Sequence, residues 1–585
     1  MYDDWGIADG YFEVDGTWHD TPPATLAVLR EVIGSAPASD PQWFVDEGEQ
    51  PQLQDRCRLT LEDGTLLGEV DQLPHDLPIG YHELAPVHGG PTTRLVVAPT
   101  ACPLAPRGWG VAAQVYSLWR DDGWGIGDLR DVALLGQQVA ALGGSALLLS
   151  PLHAPSPALP QEASPYYPSS RRWLNPLLIP LDGPSPVPNE AGSLIDRSFV
   201  WPAKRRALAE LFLHASNAPE WRLWAQAEGD DLWDFCTWNA LAERLGSCWT
   251  EWPEAFRRPD GADVLALPGQ DPAFAEAREF HAWLQWYAMR AVEQASAAAG
   301  VGLVGDLAVG SSPDGADTWM YQDLMAQGVR IGAPPDPFNA DGQVWGLPPF
   351  IPSRLRAAHY RPFIGMARAA CRGMAGLRID HVMGLFRQFW IPEGGAPADG
   401  TYVQLPADDL LAIIRLEAAR SGCYVIGEDL GTVEPHVHEA MRASQIMGTR
   451  VWWFDTDPQQ WPEHTLATVT THDLPTVFGV WNHTDGTPEM AASLQQAVPG
   501  TTAAAATVAL HEQVAASPAM LCLAALDDLA GCTERPNHPG TTGNEHPNWC
   551  RRMEADTATI LSESPGREIV EVLVAARPTR AAAEG

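Results

Sequence analysis

The sequence predicts an α/β protein: a (β/α)8 TIM barrel with helical insertions, preceded by a small N-terminal β-rich domain. Three observations carry that expectation. From about Trp109 onward, amphipathic helical patterns alternate with short apolar runs, as expected for strands buried on both faces of a parallel sheet. Several of these runs end in an acid, as at Asp306, Asp380 and Glu428, and barrels gather their working residues at strand C-termini. Residues 1–100 instead alternate apolar and polar positions between Gly and Pro breaks, the pattern of antiparallel strands.

Taken in order, Pro23 to Ile33 reads as a short helix, and Arg56 to Val70 as a hairpin turning at Asp63-Gly64, a dipeptide suited to tight hairpin turns. Tyr81 to Leu84 and Thr93 to Val97 read as further strands, so residues 1–100 are expected to form a β-sandwich-like domain and 101–585 the barrel. Leu129, Val132, Leu135, Val139 and Leu142 recur at helical spacing; Gly143-Gly144 ends that helix, and Ala146 to Leu149 follows as a buried strand. The unit returns: Val301 to Val309 is an apolar strand, helical Ala367 to Ala375 leads to GLRID, and helical DDLLAIIRLEAARSG leads to CYVIGEDLG. Residues of about 183–290 break this rhythm with helix formers and tryptophans, as in EWRLWAQAEGDDLWDFCTWNALAERLG, and read as a mostly helical insertion. The tail ARPTRAAAEG is expected to be disordered.

Composition narrows the function classes. A chain of 585 residues exceeds what one compact core serves, and 45% hydrophobic with 19% charged residues is typical of a soluble globular protein. The formal charge of −37, from 74 acids against 37 bases, repels polyphosphates, so neither nucleic acid nor an anionic membrane is expected as a partner. Neutral substrates meet no such barrier. Lys204 is the single lysine. Nine cysteines without a C-x-x-C pair read as reduced thiols of a cytoplasmic enzyme. The N-terminus has neither a basic start nor an apolar core, so no signal peptide is expected, and the aliphatic runs are too short to span a bilayer. Most of the 24 tryptophans are expected to fill the core, and some to stack on the C–H faces of pyranose rings.

Three segments carry the chemistry: GLRIDHVMG around Asp380, VIGEDLGTV around Glu428 and VTTHDLPTV around Asp473. Each sets a carboxylate behind strand-like residues. A retaining glycosidase needs two carboxyl groups about 5–5.5 Å apart, one attacking the anomeric carbon and one protonating the departing oxygen. A third acid can grip the sugar and favour its cationic transition state. Asp380, Glu428 and Asp473 suit these roles, with Arg378, His381 and His472 as charge-balancing neighbours. His436 and His438 stand two apart, but no third ligand is spaced to join them, and solvent-exposed histidines are the simpler reading.

Further segments extend the pattern: GWGIGDLRD, SPYYPSSRRWLNPLLI, FCTWNALAERLG, GDLAV with PDGADTW, GAPPDPFNADGQVWGLPP and TERPNHPGTTGNEHPNW. In this order, from about Tyr116 to Arg552, they resemble the 4-α-glucanotransferases of glycoside hydrolase family 77, the amylomaltases or disproportionating enzymes, and most of all the long actinobacterial type. The resemblance implies Asp380 as nucleophile, Glu428 as acid and then base, and Asp473 as the group holding hydroxyls of the reacting glucose. It also implies Tyr166, Asp306, Arg378, His381, His472 and Asn537 around that glucose, with Asp336, Gln343 and Trp345 on a mobile loop touching the glucan. Two departures stand out. The family's V-H-P-x-G-A-D loses its histidine at Gly310-Ser311-Ser312-Pro313-Asp314, and GQ-[DN]-W carries Val344.

The expected activity is therefore transfer of an α-1,4-glucan segment from a maltooligosaccharide to the 4-OH of glucose or another glucan, without cofactor, metal or sugar nucleotide. A hydrolase with the same site is the nearest alternative, and an inactive glucan-binding protein the other. Oligomeric state and preferred chain length stay open.

Overall fold

The computed structural model describes residues 1–12, 16–38, 40–335, 341–431, 433–498, 502–541, 543 and 545–578. Eight strands close a parallel barrel in chain order: β1 (Gly108–Ala113), β2 (Ala146–Leu149), β3 (Gly302–Leu307), β4 (Gly376–Ile379), β5 (Tyr424–Gly427), β6 (Ile446–Val451), β7 (Thr465–Thr468) and β8 (Leu521–Ala525). Closure comes where β8 pairs with β1, Leu521 opposite Gly108 through Ala525 opposite Ala112. Every residue of β5, β7 and β8 is buried, which is why β5 and β8 read as apolar runs; β7 buries a threonine at each end, and Thr465 and Thr468 bond their hydroxyls to the Pro462 and Thr470 carbonyls. Gly110 is required by packing, because a Cβ there would lie 2.1 Å from the Ala146 carbonyl oxygen.

By compactness the chain divides into two units. The first comprises Met1–Leu104, Tyr321–Arg372 and Ile379–Met447. Its N-terminal part builds one five-stranded sheet in the order Gln42–Asp46, Thr93–Ala98, Gly80–Pro86, Gln52–Thr60 and Leu66–Gln72. The expected hairpin is there, with Cys57 opposite Val70 and Leu59 opposite Gly68, and so is the helix Pro23–Ile33. A separate hairpin pairs Gly10–Phe12 with Trp18–Asp20. Glu417, 1% exposed, ties the sheet to the helix Ala407–Ser421. It accepts from Tyr81 Oη at 2.8 Å and from two nitrogens of Arg368 at 2.9 and 3.0 Å, the paired geometry that a buried carboxylate needs.

The second unit comprises Ala105–Met320, Gly373–Arg378 and the chain from Gly448. The region expected as a helical insertion holds Arg197–Ala215, Pro219–Glu228, Asp230–Leu245, Ala262–Gln270 and Pro272–Ala299. Their apolar faces meet in a core containing Trp221, Trp238, Trp252, Trp283 and Trp319, so most tryptophans of this region are structural. The helix Leu129–Ala141 opens on an Asp128–Asp131 capping box, which satisfies amides with no partner inside the helix. Leu142, read as its last apolar position, is instead its C-cap and 39% exposed. The single lysine, Lys204, is fully buried and donates to the Leu177 carbonyl at 2.7 Å; burial pushes its amine down to about 8. Among the described residues, no helix is long and apolar enough to cross a membrane. The tail expected to be disordered begins in order instead, because Ala576 closes the helix Gly566–Ala576 and Arg577 is buried, donating to the Ala515 and Ala519 carbonyls; 579–585 lie outside the described residues.

Candidate active site

In the second unit, β3 and β4 each deliver one member of a buried ion pair. Asp306, next to last in β3, is 6% exposed, and Arg378 on β4 is 8% exposed. Arg378 Nη1 donates to both Asp306 oxygens at 2.7 and 2.8 Å. The Tyr166 hydroxyl donates to Asp306 Oδ2 at 2.6 Å, so the ring is fixed by its phenol. That ring stacks on His472 at 4.7 Å and 28°, and Trp549 leans on both, 5.2 Å from Tyr166 and 5.3 Å from His472. The result is an aromatic box whose rims carry polar groups, a surface suited to a pyranose.

His472 and Asp473 lie in the turn after β7. His472 Nε2 stands 3.4 Å from Asp473 Oδ2, and Asn537 Nδ2 donates to Asp473 Oδ1 at 2.6 Å. The Asn537 amide in turn donates to the His472 carbonyl at 3.0 Å. Arg535, held by a two-pronged pair with Asp485, donates to the Asp473 carbonyl at 2.8 Å. Even with these partners, the Asp473 side chain keeps 44% of its surface exposed. Burial alone would lower the His472 pKa, but the charge and hydrogen bond of Asp473 outweigh it and raise the imidazole above its ordinary value. Burial likewise tends to raise Asp473, yet His472, Asn537 and Arg378 together hold it below the usual carboxylate range. The two shifts agree: the pair favours imidazolium beside carboxylate.

In the first unit, Asp380 follows β4 directly and is half-buried. The backbone then turns sharply, His381 taking the left-handed conformation at φ 49, uncommon for a residue with a Cβ. That turn aims the His381 amide at Glu428 Oε2, 3.1 Å away. Leu430 donates its amide to Glu428 Oε1 at 2.6 Å, and the Glu428 backbone is laced to Ile379 and Val382 at 3.0 and 2.9 Å. Glu428 therefore sits at the end of β5 with both oxygens fixed by main chain. Burial, then Arg387, push His381 down to about 4, so it brings a neutral imidazole at pH 7 rather than a positive charge. Trp345 meets the His381 ring edge-on at 5.1 Å and donates to Gln343 at 3.1 Å; both lie on the strand Gln343–Leu347. Val344 between them is 48% exposed.

Asp336 lies outside the described residues. At the lost histidine, Ser311 is fully buried. His438 faces Asp429 at 3.4 Å and His436 packs edge-on against Phe386, so each has a local role within the fold. Two residues of the site went unassigned in the sequence reading, Trp549 and Arg535. Both fall inside the segment TERPNHPGTTGNEHPNW, which was the available signal.

Acids at the C-terminal ends of barrel strands and, within the second unit, an aromatic cluster of Tyr166, His472 and Trp549 are equipment of the kind that enzymes acting on glycosidic bonds carry. A family model described as 4-alpha-glucanotransferase matches residues 113–558. The chain is 38% identical over 571 residues to a 4-alpha-glucanotransferase of Mycobacterium tuberculosis, covering 83% of this chain and 78% of that one. A 4-alpha-glucanotransferase of Haemophilus influenzae is 31% identical, with 95% of each chain covered. Among solved structures, the amylomaltase from Corynebacterium glutamicum aligns with a TM-score of 0.84 at 28% identity, covering 97% and 98% of the two chains. The protein belongs to the 4-alpha-glucanotransferase family, glycoside hydrolase family 77. Its activity is glucan transfer rather than hydrolysis of the same linkage.

Proposed function

We propose that the transfer runs by double displacement on the residues above. Asp380 attacks C1 of the donor glucose while the bond from C1 to the leaving 4-oxygen breaks, and Glu428 gives that oxygen its proton. The 4-OH of an acceptor then attacks C1, Glu428 takes its proton, and the Asp380–C1 ester opens. One α-1,4 bond is broken and one is made, so no cofactor, metal or sugar nucleotide enters the balance. Asp473, backed by Asn537 and His472, grips hydroxyls of the reacting glucose. Asp306, Arg378 and Tyr166 line the same ring, His381 donates as a neutral imidazole, and Gln343, Trp345 and Asp336 touch the glucan further along.

The observation that best supports this reading is the state of Asp473: ionised, clamped on one oxygen by Asn537, and still 44% exposed to a ligand. A preorganised anion costs little to place beside a developing oxocarbenium charge. The nine unpaired cysteines support a cytoplasmic setting. Incubation with pure maltotriose tests the reading. Glucose together with maltodextrins longer than the substrate is the expected outcome; glucose and maltose alone would overturn it.

A further inference from the structure

The hairpin Gly10–Phe12/Trp18–Asp20 has two unlike faces. Tyr11 and His19, directly opposite each other, stack at 5.3 Å and 15°. Tyr11 is 4% exposed and meets Phe389 edge-on at 5.2 Å, in a small apolar cluster with Ile391 and Tyr402. This face anchors the hairpin. The other face carries Phe12 and Trp18, again directly opposite, 66% and 41% exposed. A cross-strand aromatic pair helps hold a hairpin together, but polar residues suffice on an outward face, and this pair leaves most of the Phe12 ring and much of the Trp18 indole open to a ligand.

Trp18 is also held in place. Its indole N–H donates to Asp20 at 2.8 Å, and Phe12 meets it edge-on at 4.8 Å. Gly10 lets the ring lie down on the strand, since a Cβ there would stand 2.4 Å from an indole carbon. The nearby Trp5 differs, because the Arg30 guanidinium lies over its ring at 5.2 Å. Among the described residues, no cation covers Trp18. An indole pinned flat, with an exposed carboxylate at its edge, offers a C–H-binding surface and a hydroxyl acceptor together, at little cost in side-chain ordering.

We propose that Phe12, Trp18 and Asp20 form an accessory binding site for α-glucan chains, separate from the catalytic residues. Charge selects this occupant. At −37 the chain repels anionic polymers and a second copy of itself, whereas a glucan is neutral and rich in hydroxyl donors. A polymer held at a second point also returns to the catalytic residues at raised local concentration. The proposal rests on the transferase reading only for the choice of ligand.

The test compares wild type, W18A, F12A and the platform-preserving W18Y by electrophoresis through gels with and without glycogen, alongside rates on maltotriose and on glycogen. Retardation of wild type and W18Y is expected, with W18A and F12A migrating as in polymer-free gel. Turnover of maltotriose should stay unchanged while the rate on sub-saturating glycogen falls about tenfold. Equal retardation of W18A would overturn the proposal, as would a change of oligomeric state on its substitution, which would make this face an interface between copies. Loss of maltotriose disproportionation by the wild type would instead sink the transferase reading. Should W18A misfold by circular dichroism, F12A carries the same decision.

Discussion

The residues gathered around Asp473 and those around Glu428 are fixed in opposite ways. Asp473 is set by side chains: Asn537 on one oxygen, His472 near the other, and an aromatic box of Tyr166 and Trp549 behind the imidazole. Glu428 is set by main chain, with the amides of His381 and Leu430 on its two oxygens. A side-chain network can adjust as a sugar binds and distorts, which suits a group that recognises. Main-chain amides at a strand end move only with the barrel, which suits a group that must meet a reacting atom to within a few tenths of an ångström. On the proposed mechanism the contrast corresponds to binding on one side and bond-making on the other, and it is open to test.

The largest effects belong to the two carboxylates that follow β4 and β5, Asp380 and Glu428. Asp380→Asn is expected to lower kcat on maltotriose by on the order of 10⁴-fold or more, because the covalent route is gone; unchanged turnover would refute its role as nucleophile. Glu428→Gln should cost about 10²–10⁴-fold, the usual range for a lost acid–base group. Its defect should be selective. With α-glucosyl fluoride as donor the departing fluoride needs no proton, so the first step should recover in Glu428→Gln and stay lost in Asp380→Asn. Recovery in both, or in neither, would merge the two roles and break the comparison from within.

How far these groups were legible beforehand follows from what fixes them. Asp380 and Glu428 stand directly behind apolar strands, so period and position pointed at them. A short helix was expected near Pro23 to Ile33, and the structure has it at Pro23–Ile33, where a proline in the first turn suits a helix start. The miss at Leu142 is a boundary effect: the residue continues the apolar period, but Gly143 takes φ 84 and the helix closes one residue early. Trp549 and Arg535 were hidden for a different reason. Trp549 acts by leaning on two rings from distant segments, and Arg535 by holding a backbone carbonyl; neither task leaves a local pattern. The neutral state of His381 comes from burial and from Arg387 nearby in the fold, which no spacing announces.

On the side-chain-fixed side the losses should be smaller and graded. Asp473→Asn removes the charge facing the transition state, and a fall in kcat of about 10²–10³-fold is expected. Asn537→Ala leaves that charge in place but frees its clamp, so about tenfold is expected, along with weaker binding of transition-state-like inhibitors. An Asn537→Ala loss as large as that of Asp473→Asn would mean the clamp, not the charge, is the working element. A fall of that size in kcat with Trp549→Ala as well would show the network to be rigid after all.

The smallest effect is electrostatic and has a definite sign. His472 has a folded pKa above the ordinary imidazole value of 6.5, because Asp473 outweighs the burial that opposes it. A basic group raised in this way contributes stability that is fully present below its unfolded pKa and lost as pH rises through the folded one. Asp473, lowered below 3.8, stays ionised across that window, so only the imidazole titrates there. The stability difference between wild type and His472→Gln, from denaturant midpoints, should therefore be larger at pH 6 than at pH 9. A flat difference for His472→Gln would mean that the imidazole stays neutral in the free enzyme, and that Asp473 is held by Asn537 and Arg378 without it.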